Sequence, residues 1–194
     1  MKYLLALFFF WTVVSGQRTV LIGNELIQGL KPHLRNQTVE CYAQQGAILD
    51  ELPQTTSIPG QLYVLRNVSD YPIHTVIMNG GFMDLFDPVW GCTTWDFNCR
   101  TIVNYKCESI GLFMYFMKMS GVERVIYMDG VSPPHTEYLN PATKDFMNQV
   151  ESICTPDSDP SCYFVDLRPL HYYYPLSSDN YKEILQLLDQ IDMP

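Results

Sequence analysis

The chain has 194 residues, 47% of them hydrophobic, and carries 21 acidic against 12 basic side chains, a formal net charge of −9. That length and apolar share are enough for one domain with a real core. With no cluster of basic residues, nucleic acid and anionic lipid are poor partners, and the acidity otherwise speaks only for solubility.

In chain order, the first sixteen residues read as a signal peptide. Lys2 supplies the positive start, "LLALFFFWTVV" the apolar stretch and Val14-Ser15-Gly16 a small-residue end. The stretch is too short to span a bilayer comfortably, and no later run approaches the ~18 apolar residues of a membrane helix. The organisation expected is therefore a signal peptide over 1–16 and a single domain over 17–194, in a secreted protein or one held in the secretory lumen. Asn36-Gln37-Thr38 and Asn67-Val68-Ser69 are N-glycosylation sequons beside turn-like sequence, which agrees with that route.

From residue 18 onward, apolar runs alternate with helical patterns. "RTVLIG" stops at Gly23, and Leu26, Ile27 and Leu30 follow at helical spacing in "ELIQGLKPHL". "TVECYAQ" precedes a short helix, "AILDEL"; "HTVIMNGG" precedes a cysteine-rich loop and a long helix over Val103–Gly121. "ERVIYMDGV" leads through a Pro-rich turn to "ATKDFMNQVESI", and "CYFVDLR" to "SSDNYKEILQLLDQI", which opens on a Ser-Ser-Asp cap. Five strands alternating with helices predict an α/β fold: a three-layer, doubly wound, five-stranded parallel sheet with helices on both faces. In the flavodoxin-like order 2-1-3-4-5, ligands bind where the winding reverses, outside the carboxyl ends of the first and third strands. Those ends are Gly23-Asn24-Glu25 and Asn79-Gly80-Gly81, with glycines that permit close approach of a ligand or simply make tight turns.

At this point the chain resembles the SGNH (GDSL-type) hydrolases, three-layer α/β esterases and acyl-carbohydrate hydrolases, across nearly the whole of 17–194. The family's Gly-Asp-Ser block, with serine as nucleophile, falls on Gly23-Asn24-Glu25. Its second-block glycine, an oxyanion-hole donor, falls on Gly46. Its Gly-x-Asn-Asp block falls on Gly81, Met83 and Asp84, so that methionine replaces the oxyanion-hole asparagine. Its Asp-x-x-His-Pro block, aligned on Pro175, puts His171 in the aspartate place and Tyr174 in the histidine place.

The layout matches and the chemistry does not. Acyl transfer at neutral pH needs a hydroxyl attacked through a neighbouring imidazole. Glutamate is a poor acyl nucleophile and brings negative charge to where an oxyanion must develop, while one lost oxyanion donor alone costs about 3 to 4 kcal/mol. Serine-esterase activity is therefore not expected. A rearranged hydrolase would use Glu25 and His171 as catalytic candidates, with Glu137, Asp129 or Asp84 as a second carboxylate for glycoside chemistry, or Asp166 with His171 as an acid–base pair. The alternative roles are a loop histidine at His171 and a charge favouring a helix N-terminus at Glu25. No cofactor motif is evident, and the scattered His33, His74, His135 and His171, with no C-x-x-C pair, argue against a metal.

The six cysteines are an even number in an oxidising route. Cys154 and Cys162 bracket a turn-rich loop and form the first expected disulfide. Two of Cys92, Cys99 and Cys107 form a second, the third reaching Cys41 or both staying free. Trp90, Trp95 and Phe97 in the loop after the third strand, with Tyr172 and Tyr173 opposite, are candidates to line a cleft or to cover the core. The candidate binding set is thus Asn24, Glu25, Gly46, Asn79, Gly81, Met83, Trp90, Trp95, His171 and Tyr174. The reading reached is a catalytically inactive secreted protein that binds an extracellular glycan, lipid or protein at the former active-site cleft. The alternatives are an ester or glycan hydrolase built on Glu25 and His171, and a structural component of an outer covering, which no repeat supports.

Overall fold

The computed structural model describes residues 18–34, 39–45, 47–49, 57–61, 63, 73–87, 91–173 and 175–190. The leader, both sequon asparagines (Asn36, Asn67), Gly46, Trp90 and Tyr174 lie outside the described residues. Five strands, β1 (Arg18–Ile22), β2 (Glu40–Cys41), β3 (Ile73–Met78), β4 (Arg124–Asp129) and β5 (Ser161–Asp166), form one sheet in the order β2-β1-β3-β4-β5. Every neighbouring pair is parallel. The helices are α1 (Glu25–Leu30), α2 (Phe97–Met119), α3 (Asn140–Ile153) and α4 (Ser178–Asp189). This is the doubly wound α/β architecture expected from the alternation of strands and helices. Ile22 pairs with Met78, Met78 with Tyr127 and Asp129 with Asp166, so the carboxyl ends of four strands finish along one edge.

Side chains alternate across the sheet, and both faces are apolar. Val20, Ile22, Val76, Met78, Val125 and Tyr127 point into one core, which α2 and α3 close with Val103, Ile110, Phe146 and Val150. Leu21, Ile77, Ile126 and Met128 point into the other, closed by Leu26 and Leu30 of α1 and by Ile184 and Leu188 of α4. Each such fully buried aliphatic side chain stabilises the fold by roughly 1.5–3 kcal/mol.

Three local departures from the sequence pattern have physical causes. The long helix begins at Phe97 rather than Val103. Asp96 caps it by accepting the Cys99 amide at 2.9 Å, and the Cys92–Cys99 disulfide ties the incoming loop to its first turn. The first helix ends at Leu30, and Lys31–His33 tighten into a 3-10 turn at Pro32, which has no N–H to continue the ladder. Residues 47–49 are not helical. The Leu49 amide donates to Asp84 at 2.9 Å and the Ile48 carbonyl accepts from Ile58 at 3.1 Å, so tertiary partners claim the groups a helix would use. A helical turn follows over 58–61 instead.

The second disulfide is Cys154–Cys162, and Cys41 and Cys107 are free. These two cannot meet: Cys107 is buried in the core beneath α2 and α3, whereas Cys41 packs against the opposite face of the sheet. Burial pushes the Cys107 thiol up to about 12 and raises Cys41 as well, which keeps both protonated and unreactive. No described helix is long and apolar enough to cross a membrane.

One buried ion pair holds the corner after β3. Asp84, 5% exposed, accepts from Lys106 Nζ at 2.7 Å, and the same ammonium donates to the Leu49 carbonyl at 2.7 Å. Desolvation raises the Asp84 carboxyl and outweighs the opposing pull of Lys106. Removing one partner strands the other. Lys106→Met is expected to destabilise the fold by about 3 kcal/mol in denaturant titrations, and Asp84→Asn/Lys106→Met to recover part of that loss.

Candidate functional site

The turn from β1 into α1 and the end of β3 converge, as the strand order requires, but their polar groups bond to one another. Asn24, the N-cap of α1, accepts the Leu26 amide on its own Oδ1 at 3.0 Å. Asn79 Nδ2 donates to that same Oδ1 at 2.7 Å, while Asn79 Oδ1 accepts the Asn24 amide at 3.0 Å. Gln61 completes the set: its Oε1 accepts the Gly23 amide at 2.8 Å and its Nε2 donates to the Gly23 carbonyl at 3.0 Å. Asn24, Gln61 and Asn79 are each at most 1% exposed. Gly23, at φ +143°, has no room for a side chain, because a Cβ there would lie 2.0 Å from Asn79 Oδ1. An oxyanion hole needs N–H groups aimed at a hollow. The Gly23 and Asn24 amides offer none, since Gln61 and Asn79 accept both; Gly46, the expected donor, lies outside the described residues.

Beneath this corner, at the end of β4, lies Asp129. It is fully buried and accepts the Gly130 amide at 2.9 Å and the Gly80 amide at 3.3 Å. Tyr127 donates to the Gly80 carbonyl at 2.6 Å, so one glycine turn is held from both sides. Burial pushes the Asp129 carboxyl up to about 8, with the two amides opposing that rise only in part. Burial thus favours the protonated form of Asp129, whose oxygens face backbone amides rather than solvent.

The open site lies farther along the edge, over β4 and β5. A cleft of about 600 Å³ is bounded by Gly130 and Ser132 after β4, by the first turns of α3, and by the loop from β5 to α4. Its floor is Asp166, the last residue of β5, which chelates Arg168: Nε and Nη2 donate at 2.6–3.0 Å. The Arg168 backbone amide also donates to Asp166 at 2.9 Å, and Nη1 reaches the Thr143 carbonyl at 3.4 Å. Gly130, at φ +118°, permits this packing, since a Cβ there would come within 2.8 Å of the Arg168 nitrogen. From α3 come Asn140, Thr143, Lys144 and Asn148, and from the turn before it Thr136 and Glu137. His171, Tyr172 and Tyr173 form the far wall. Tyr173 pairs in parallel with Ser132, and the Tyr172 hydroxyl donates to Glu183 of α4.

The sequence candidates divide between these places. His171 lines the cleft, exposed and left-handed at φ +52°, where it ends the turn over Arg168–Leu170. Glu25 is the first residue of α1, partly exposed, and is not among the residues lining the cleft. Glu137 lines it, whereas Asp84 and Asp129 are buried and engaged elsewhere. Asp166 shares the cleft with His171 but is paired with Arg168. Gly81 is buried and Met83 half-buried at the start of the 3-10 turn after β3. Trp95 packs partly against the core with the Arg100 guanidinium 5.1 Å from its ring centroid, and Phe97 is exposed outside the cleft. Of the aromatic rim, only Tyr172 and Tyr173 belong to this cleft among the described residues.

Sequence reasoning missed Gln61, because a lone glutamine in "IPGQL" carries no periodic signal. It also missed the polar face of α3. Asn140, Lys144 and Asn148 recur at four-residue spacing, a stripe that could have been read from the sequence as one side of a helix.

Two expectations follow from these contacts. Asn79→Ala leaves the buried Asn24 amide without its acceptor and is expected to destabilise the fold by about 2 kcal/mol, measured by denaturant unfolding. Asp129 titrates near 4 when unfolded and about 8 when folded. Its contribution is therefore fully present below pH ~4 and is lost as pH rises to ~8, at up to about 1.4 kcal/mol per unit. Asp129→Asn is expected to flatten that part of the stability profile when midpoints at pH 5 and pH 8 are compared.

No protein-family model and no curated protein matches the sequence. Among solved structures the fold is similar to the crystal structure of an acetyl xylan esterase, AlAXEase. The TM-score is 0.52 over 78% of this chain and 78% of that one, at 12% identity. At that identity the likeness is one of fold: a five-stranded parallel α/β sheet of esterase-like architecture.

Proposed function

We propose that this chain is a secreted, disulfide-stabilised protein of SGNH-like fold that does not hydrolyse esters and acts by holding an extracellular ligand. The observation that carries this reading is the closed corner between β1 and β3. There the Gly23 and Asn24 amides donate to Gln61 and Asn79, and Glu25 stands where the resembled family has serine. An acyl-transfer centre on the resembled plan would need a hydroxyl beside an imidazole at this corner, and Asn24, Glu25 and Asn79 supply neither. The pair proposed above for a rearranged centre is not gathered in one cleft either: His171 lines the cleft over β4 and β5 and Glu25 does not, while Asp166, which does, is paired with Arg168.

Two disulfides, the apolar leader pattern and the two sequons support an oxidising, extracellular setting. A shared fold does not itself carry an activity; the closed corner bears on it directly.

The test is direct. Mature protein, offered p-nitrophenyl acetate and p-nitrophenyl butyrate, is expected to give rates indistinguishable from buffer, and Glu25→Gln and His171→Ala are expected to change nothing. Turnover that either substitution abolishes would replace the binding reading with a rearranged hydrolase.

A further inference from the structure

We infer that the cleft over β4 and β5 is a binding site for an uncharged oligosaccharide. This rests on the non-catalytic reading above and goes beyond it by moving the ligand away from the closed β1–β3 corner and naming its chemistry.

The charges in the cleft decide against an anion. Arg168 is the best-placed cation, but Asp166 already binds its Nε and Nη2, and its Nη1 points to the Thr143 carbonyl. A carboxylate or sulfate would have to break a bidentate pair to gain another. Lys144 and Glu137 add one charge of each sign, both on exposed side chains. The lining decides against an acyl chain as well. Ser132, Thr136, Glu137, Asn140, Lys144 and Asn148 all reach the wall, and a lipid tail would desolvate these hydroxyls, amides and charges without hydrogen bonds in return.

What remains suits a polyol. Asn140 and Asn148 project exposed carboxamides, each able to donate and accept at once. Thr136 donates its hydroxyl to the Pro133 carbonyl at 2.6 Å, leaving its oxygen as an acceptor toward the cleft. Opposite them, Tyr172 and Tyr173 present rings with an apolar face and a polar tip, the combination that a pyranose ring with its C–H face and equatorial hydroxyls can use. The wall is held in place before any ligand arrives. The Tyr173 backbone pairs with Ser132 in the loop after β4, and the Tyr172 hydroxyl donates to Glu183 of α4, which lowers the ordering that binding must supply. The volume, about 600 Å³, lies within the range of small-ligand sites.

The experiment titrates the mature protein by calorimetry with three neutral probes (xylohexaose, maltohexaose and chitohexaose), with hexagalacturonate, and with phosphatidylcholine vesicles. At least one neutral oligosaccharide is expected to bind and raise the melting temperature. Binding is expected to weaken about tenfold or more in Tyr173→Ala and Asn148→Ala, and to persist in Tyr173→Phe, which keeps the ring. Leu112→Ser, on the exposed face of α2, is the control expected to bind as the parent does. Circular dichroism on each variant separates lost binding from lost folding, and Asn148→Ala carries the test if Tyr173→Ala does not fold. Absence of neutral-sugar binding, binding that survives both cleft substitutions, or preference for hexagalacturonate or vesicles would each overturn the inference. Ester turnover is read separately: turnover alongside sugar binding in this cleft sinks the non-catalytic reading alone, and no turnover with no sugar binding sinks this one alone.

Discussion

The reciprocal amide pair between Asn24 and Asn79 is the contact on which the molecule's character depends. Parallel strands leave backbone groups unpaired at their carboxyl edge, where the ladder ends and the chain turns away into a helix. At the point where winding reverses, two such ends lie side by side with nothing from the sheet to cover them. In an enzyme a substrate and its catalytic groups answer that need. Here two asparagines and a glutamine do so permanently, buried and mutually hydrogen-bonded. A fully satisfied buried polar network makes a corner rigid and specific, and the same satisfaction leaves nothing to offer a ligand.

The rest of the edge follows from that closure. Asp129, one strand along, is packed against the same glycine turn, and its burial favours the protonated form over the charged one. Among the described residues, a cleft opens where the sheet ends. Beside the edge strand β5, the loop to α4 folds back onto Ser132 and leaves a hollow under the start of α3. Asp166 and Arg168 satisfy each other at its floor, so its charge is balanced in a protein that is acidic overall. A hollow with balanced charge, amides and tyrosines is a different chemical object from an acyl-transfer site, although both lie on the same edge of the same fold.

Much of the architecture could be read from residue order. Val20–Ile22, Val76–Met78 and Val125–Met128 are apolar without a break, because strands covered on both faces have no solvent side. The amphipathic spacing of α3 and α4 was equally plain. Element ends were harder to read. Six residues of α2 resembled a cysteine loop because its first turn depends on the Asp96 cap and a disulfide. Residues 47–49 lost their helical pattern to Asp84 and Ile58, partners far along the chain.

The candidate site divides the same way. Residue identities alone read glutamate, methionine and tyrosine where the resemblance leads one to expect serine, asparagine and histidine, a comparison that needs no geometry. They also establish the layered α/β plan, because hydrophobic periodicity is a local property of the chain. Where the cavity lies is not local. Asn24 and Asn79 are 55 positions apart, Gly23 and Gln61 38, and the choice between an open and a filled corner turns on whether those side chains reach one another. Folding brings them within about 3 Å of their partners, and that contact, which no stretch of sequence contains, fills the corner between β1 and β3, whereas a cleft lies over β4 and β5.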